Sequence, residues 1–191
     1  MLEFTLRFAL FATIHSLLAA GTVKARLLPL MHSWSRYYRI LYNIVAMASF
    51  GWVMDGYQLS PIIYTVPGGA GLLFYLIQGL LLLLLIKCTA QTGIYEFLGI
   101  SQIMNKAERE PILVTSGCYG IVRHPQYALV ILFLLFNPFV SLKWLIFSAL
   151  AITYMAVGAI LEEQRLTALF GDRYREYQAM VPRFIPRFNR A

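Results

Sequence analysis

Charged side chains are scarce in this 191-residue chain. Only 13% of its residues are Asp, Glu, Lys or Arg, whereas soluble domains have about 25%. The hydrophobic share is 59%, above the roughly 45–50% of soluble domains. This balance excludes an ordinary soluble fold and indicates an integral membrane protein, whose length suits one compact domain over residues 1–191.

Metal-binding and phosphate-binding patterns are also lacking. The three histidines, His15, His32 and His124, lie far apart and have no acidic partner at the spacing of a metal site, so we expect no metal. Walker loops, dinucleotide fingerprints and Ser-His-Asp signatures are absent. The two cysteines, Cys88 and Cys118, are too few for a disulfide framework. We expect both on the cytoplasmic side, where thiols stay reduced.

Long apolar runs are what the sequence has in abundance. Five such segments are Leu2–Ala20, Tyr38–Met54, Gly68–Ile86, Tyr127–Phe136 and Leu142–Leu161. A spanning helix needs about 20 residues, so the short fourth segment spans only if Pro125 and residues 138–140 are counted. The sequence predicts an all-α integral membrane protein with about five transmembrane helices. The fourth and fifth helices form a hairpin that turns at Asn137-Pro138.

The net charge of +7 comes from basic residues in alternate connections between these segments. Lys and Arg occur in residues 21–37, in residues 87–125 and in the tail after Leu161, whereas residues 55–67 have none. The positive-inside rule then predicts an outside N-terminus and a cytoplasmic C-terminus, in a bacterial inner membrane. We expect these charges to meet membrane lipids rather than nucleic acid.

Two segments outside the spans have helical patterns. Gln102–Glu110 is a helical-looking stretch ended by Pro111. Residues 162–180 continue the fifth span as a cytoplasmic helix, because apolar residues recur there at three- and four-residue spacing. These are Leu166, Leu169, Phe170, Tyr174 and Tyr177. Such a helix can lie on the membrane surface or cover a site.

A polar motif, Arg123-His124-Pro125, stands at the start of the fourth apolar segment. Pro125 suits the first turn of a helix, where its missing N–H costs nothing. The residues before it then offer free N–H groups and positive potential to an anion. Gly117 and Gly120 permit close backbone approach. The motif is therefore either a headgroup anchor or one wall of a ligand site.

Glu162 and Glu163 end the fifth apolar segment in a chain with only nine acidic residues. Carboxylates are costly when they face lipid. The two can form a structural ion pair with Arg165 or Arg123, or they can receive a ligand ammonium or ribose hydroxyls. The predicted hairpin places both motifs in one cytoplasmic cavity.

Both motifs together resemble those of a known superfamily. The pattern comprises Gly117-x-Tyr119-x3-Arg123-His124-Pro125-x-Tyr127 and Glu162-Glu163-x2-Leu166-x3-Phe170-Gly171-x2-Tyr174-x2-Tyr177-x3-Val181-Pro182. It resembles the integral membrane methyltransferases, which include isoprenylcysteine carboxyl, phospholipid N- and methanethiol S-methyltransferases. In the N-terminal half, His15-Ser16, Tyr38-Arg39-x2-Tyr42-Asn43 and Phe97-Leu98-Gly99-Ile100-Ser101-Gln102 are similar to the methanethiol methyltransferase and nurim branch.

The resemblance implies S-adenosylmethionine as methyl donor and S-adenosylhomocysteine as product. It implies that Gly117, Tyr119, Arg123, His124 and Tyr127 line the cofactor pocket, and that Glu162 and Glu163 contact the donor's ammonium or ribose. Residues 1–88 would then be a three-helix N-terminal part, and residues 89–191 the cofactor-binding part.

Methyl transfer from a sulfonium needs mainly proximity and alignment. A thiol acceptor reacts as its thiolate, so a nearby arginine that lowers the thiol pKa from about 8.5 would help. Arg183 is our candidate, and Glu163 is an alternative that would assist proton removal. We therefore predict a membrane methyltransferase acting on a small or lipophilic thiol.

Four other functions stay open. Two are enzymatic variants, O-methylation of a prenylcysteine carboxylate and N-methylation of a lipid amine. A third is a sterol-reductase-like enzyme. The fourth is a non-catalytic membrane protein like nurim, a nuclear-envelope protein with no established enzymatic role. Intact pocket chemistry favours an enzyme, since Arg123, His124, Glu162 and Glu163 are all present.

Overall fold

A computed structural model describes residues 1–58, 60–104 and 112–187. Its helices are α1 Leu2–Ala19, α2 Gly21–Met31, α3 Tyr38–Asp55, α4 Gly68–Gln91, α5 Ile94–Leu98, α6 Ile100–Ile103, α7 Cys118–Ile121, α8 Pro125–Leu135, α9 Leu142–Phe170 and α10 Asp172–Met180. A 3₁₀ helix covers His32–Tyr37, and two short strands, β1 Ile62–Thr65 and β2 Phe139–Ser141, pair with each other. The protein is therefore an all-α membrane protein with very little strand.

Three of the described helices, α1, α4 and α9, are long and apolar enough to cross a membrane. The apolar helix α8 has only 11 residues, which gives about 17 Å at about 1.5 Å per residue. That is about half of the roughly 30 Å hydrocarbon core. The count of five spans therefore stays a prediction.

The described chain divides into two compact units. One comprises Met1–Ser60 with Gly93–Glu110, and the other comprises Pro61–Thr92 with Pro111–Ala191. The second unit thus contains α4, which the sequence analysis groups with the N-terminal part. The single domain over residues 1–191, divided after residue 88, stays a prediction.

In the first unit the structure joins two of the N-terminal motifs. Asn43 on α3 donates to the carbonyls of Phe97 and Leu98, both at 3.1 Å, and Arg39 Nε donates to the carbonyl of Phe97 at 3.2 Å. Gly99 has a φ of 86° and lies so close to Arg39 that a Cβ atom there would crowd it. These side chains therefore satisfy the carbonyls at the end of α5.

In the second unit α4 packs on α8, and Gln78 Nε2 on α4 donates to the carbonyl of Phe133 at 3.0 Å. The Ser141 hydroxyl accepts from the N–H of Trp144 and so caps α9. The chain turns from α8 to α9 around Asn137, whose side chain accepts from the N–H of Phe139. α8 and α9 therefore follow one another through a six-residue connection, at the position where the hairpin turn is predicted.

Local structure differs from the sequence prediction in three places. Residues 21–37, predicted as a loop, form α2 and the 3₁₀ helix, because basic loop charges do not prevent helix formation. The tail helix is interrupted at Gly171, where φ is 58° and ψ is −130°, so α10 is a separate helix. The strand pair β1–β2 has no signal in the apolar pattern. The helix predicted over Gln102–Glu110 lies outside the described residues from position 105 onward.

The expectation of free thiols was wrong, because Cys88 and Cys118 form a disulfide with a Cα–Cα distance of 5.8 Å. Cys88 is in the last turn of α4, and Cys118 begins α7. The two cysteines are 30 residues apart in sequence, so their meeting depends on tertiary packing that no local pattern reveals.

Candidate active site

The buried carboxylate of Glu163 is the centre of the polar cluster in the second unit. Glu163 is 4% exposed, and its Oε1 atom accepts from Arg123 Nε at 2.9 Å and from Arg183 Nε at 3.0 Å. Its Oε2 atom accepts from Arg183 Nη2 at 2.6 Å and from Gln178 Nε2 at 3.2 Å. A buried charge is costly unless it is paired and hydrogen-bonded, and these donors meet both conditions.

The guanidinium of Arg123 also binds the backbone of the tail. Besides Glu163, it donates through Nη1 to the carbonyls of Gln178 and Val181. Its side chain is 10% exposed. The resemblance implies that Arg123 lines the cofactor pocket. In the structure, its hydrogen-bond donors bind Glu163 and the backbone carbonyls of Gln178 and Val181.

The backbone before α8 is also occupied. The N–H of Arg123 donates to the carbonyl of Pro182 at 2.8 Å, and the N–H of His124 donates to the carbonyl of Arg183 at 3.1 Å. The expectation that these groups are free for an anion was therefore wrong. Carbonyls of the tail segment after α10 accept both bonds, and sequence patterns do not reveal this long-range pairing.

His124 lies between the two glutamates. Its Nε2 atom is 3.1 Å from Glu163 Oε1, and its Nδ1 atom is 3.6 Å from Glu162 Oε2. The ring is 6% exposed and stacks on Tyr127 with a centroid distance of 5.4 Å and an interplanar angle of 10°. The Phe184 ring packs near the His124 ring, with a centroid distance of 5.7 Å. His124 therefore connects the buried carboxylate to the more exposed one.

Glu162 and Arg183 are the accessible charges of the cluster. The Glu162 side chain is 37% exposed, against 5% for Glu163, and it accepts from the Tyr127 hydroxyl at 3.3 Å. The Arg183 side chain is 40% exposed, and its bonds to Glu163 raise its pKa, so it stays charged. We call Glu162, Tyr127 and Arg183 the rim of the site.

Tyr119 lies against α10, and Gly117 lies against the end of α4. The Tyr177 hydroxyl donates to the carbonyl of Tyr119 at 2.6 Å. Burial raises the pKa of Tyr177 to about 12, so it remains a donor at physiological pH. Gly117 has a φ of 62°, and a Cβ atom there would overlap with the amide of Gln91. Glycine at position 117 thus serves the packing on α4.

Sequence reasoning missed Gln178. It lies four residues after Tyr174, on the same face of α10. Tyr174 is 1% exposed and forms a small core with Tyr177 and Val181, against Leu113, Leu166 and Phe170. The three- and four-residue spacing of Tyr174, Tyr177 and Gln178 places all three on the face of α10 that packs against α9. That spacing is the sequence signal that could have identified Gln178.

Comparisons with known proteins give a consistent set of relatives. The chain is 28% identical over 188 residues to a methanethiol S-methyltransferase of Crocosphaera subtropica, which covers 93% of this chain and 71% of the relative. It is 27% identical over 196 residues to a methanethiol S-methyltransferase of Pseudomonas deceptionensis, covering 95% of the chain and 71% of the relative. No family model matches the chain, and no solved structure matches it.

A shorter alignment reaches a second kind of relative. Over 89 residues the chain is 34% identical to a protein-S-isoprenylcysteine O-methyltransferase of Schizosaccharomyces pombe. This alignment covers 44% of the chain and 37% of the relative, so the chain spans well under half of that protein.

Proposed function

Because the chain is a methyltransferase of the integral membrane superfamily that these relatives represent, we propose that it methylates a small or lipophilic thiol, with S-adenosylmethionine as donor. S-adenosylhomocysteine would be the product. The long alignments with proteins named for methanethiol support a thiol acceptor. The observation on which the proposal depends is the accessible rim of Glu162, Tyr127 and Arg183 around a saturated buried carboxylate.

The charges of the rim fit the proposed donor. S-adenosylmethionine carries an ammonium and a carboxylate, and it supplies an activated methyl group on a sulfonium. Glu162 would hold the ammonium or the ribose hydroxyls, and Arg183 can contact an anionic group. His124 and Tyr127 add a stacked aromatic wall. Arg123 would hold Glu163 in position rather than contact the ligand.

The two predicted catalytic residues receive separate roles in this proposal. Arg123 and Arg183 share the carboxylate of Glu163, so these three side chains together carry a net charge of +1. That charge can stabilise a thiolate acceptor, which is the reactive form of a thiol. Glu163 is saturated by donors and 4% exposed, so it acts as a positioning residue for Arg183 rather than as the base.

The proposed topology has five spans, an outside N-terminus and a cytoplasmic site in a bacterial inner membrane. The arrangement of Lys and Arg along the sequence supports it. A water-soluble, charged donor would enter from the cytoplasm, and an apolar acceptor would enter from the bilayer. Membrane lipids are then the remaining partners. That no metal takes part stays a prediction.

Calorimetry with the purified chain and S-adenosylmethionine tests the cofactor assignment. We expect saturable binding that the substitution Glu162→Gln weakens by about 10-fold, the loss of one hydrogen bond to a charged group. Glu176→Gln on the exposed face of α10 is the matched control and should bind normally. Absence of saturable binding, or equal affinity in Glu162→Gln, contradicts the proposal.

The acceptor needs its own assay. The Schizosaccharomyces pombe relative supports O-methylation of a prenylcysteine carboxylate as the alternative. We expect methyl transfer to methanethiol or larger thiols, and none to prenylcysteines or ethanolamine lipids. Transfer to a carboxylate or amine alone would replace the thiol by one of these acceptors while leaving the donor assignment intact.

A further inference from the structure

The disulfide between Cys88 and Cys118 fixes one wall of the candidate site to α4. Residues 117–123, which we call the strap, run from the disulfide to Arg123. Cys88 is 3% exposed, whereas Cys118 is partly accessible. Next to the disulfide, the Gln91 side chain accepts from the N–H of Cys118 at 3.1 Å. The disulfide and this hydrogen bond hold the first residues of the strap.

The strap leads directly to the buried cluster. Its residue Tyr119 accepts the hydrogen bond of Tyr177, and its last residue, Arg123, binds Glu163. Without the disulfide, the described links from Cys118 to α4 reduce to the hydrogen bond with Gln91, and a hydrogen bond contributes only about 0.5–1.5 kcal/mol. The sulfur of Cys118 therefore lies on a segment whose last residue binds the buried carboxylate.

We propose that Cys88 and Cys118 form a reversible redox site that controls affinity for the methyl donor. This inference rests on the proposed function for the donor and on the cytoplasmic placement. Disulfides in a reducing cytoplasm are usually transient, catalytic or redox-sensing rather than structural. The disulfide form holds the strap and binds the donor tightly, and the dithiol form releases the strap and binds it weakly.

The reaction partner is a cellular dithiol. One thiolate of the dithiol attacks the more accessible sulfur, that of Cys118, and expels the Cys88 thiolate, which takes up a proton. The second thiol of the reductant, as its thiolate, then attacks the mixed disulfide and releases Cys118 as a thiol. Two electrons and two protons pass from the reductant to the protein, and the reductant becomes its own disulfide.

The test compares the purified full-length chain before and after treatment with dithiothreitol. Alkylation followed by mass spectrometry counts the free thiols in each sample. Calorimetry with S-adenosylmethionine measures affinity, and hydrogen exchange measures protection of the strap. We expect reduction to weaken binding by at least about five-fold, the lower end of couplings between sites. Protection of the strap should fall at the same time.

The double variant Cys88→Ser/Cys118→Ser is the control. It should bind the donor as weakly as the reduced wild type and should not respond to dithiothreitol. Equal affinity in the two wild-type redox states overturns the inference and leaves the proposed function standing. If neither state binds the donor, the proposed function fails, and unchanged strap protection on reduction then overturns the redox site independently.

Discussion

At the scale of single residues, two adjacent glutamates have opposite environments. Successive positions on a helix point about 100° apart. Glu163 therefore faces inward to Arg123 and Arg183, while Glu162 stays partly exposed beside Tyr127. The sequence leaves two roles open for the pair, an ion pair with Arg165 or Arg123 and a contact with the donor. The structure separates a buried carboxylate that binds two arginines from one that is partly exposed.

Substitution of Glu163 tests this separation. Glu163→Gln removes the charge shared by two arginines, and breaking a buried pair on one side costs about 3–5 kcal/mol. We expect a large fall in the midpoint of thermal unfolding in detergent. The neighbouring Glu162→Gln keeps the inner cluster intact and should leave the midpoint nearly unchanged while weakening donor binding. Equal destabilisation by both substitutions contradicts the assignment.

At the scale of elements, the site depends on how the tail returns. Gly171, with a φ of 58° and a ψ of −130°, separates α9 from α10. Tyr174 and Tyr177 pack against Leu166 and Phe170, and the residues after α10 pair with the backbone before α8. The tail therefore supplies Gln178 and Arg183 to the cluster as fixed parts of the site.

The backbone conformation of Gly171 makes a specific prediction. A residue with a Cβ atom is strained at a φ of 58° and a ψ of −130°, at a cost of about 1–3 kcal/mol. We expect Gly171→Ala to lower the unfolding midpoint and to expose α10 to limited proteolysis. Gly79→Ala, in the middle of α4, is the control. A Cβ atom at Gly79 would have no atom of another part of the protein within 4 Å, so this substitution should not destabilise the fold. Identical behaviour of both variants contradicts the role of Gly171.

At the scale of the whole molecule, the sequence predicts the class of fold better than the details of the site. Hydropathy identifies α1, α4 and α9 because a spanning helix is a long uniform signal. The meeting of Arg123 with Glu163 follows from the α8–α9 hairpin. The disulfide, the strand pair and the tail's pairing with residues 123–124 join segments far apart in sequence. No local periodicity encodes such contacts, so they required a structure.

The short helix α8 bears on the number of spans, and the strand pair supports the proposal that it is one of them. Beyond α8, residues 136–141 continue in a non-helical form, and backbone at membrane depth needs hydrogen-bond partners. The β1–β2 pairing provides them, with further bonds from the N–H of Val66 to the carbonyl of Pro138 at 2.8 Å and from the N–H of Leu142 to that of Pro61 at 2.9 Å.

Five spans place the two termini on opposite sides of the membrane, whereas four spans place them on the same side. We therefore expect a C-terminal green fluorescent protein fusion to fluoresce and a C-terminal alkaline phosphatase fusion to be inactive in a bacterial host. A small tag at the N-terminus should react with an impermeant reagent in intact spheroplasts. Protection of both termini from that reagent would contradict five spans, because an even number of crossings returns the chain to its starting side.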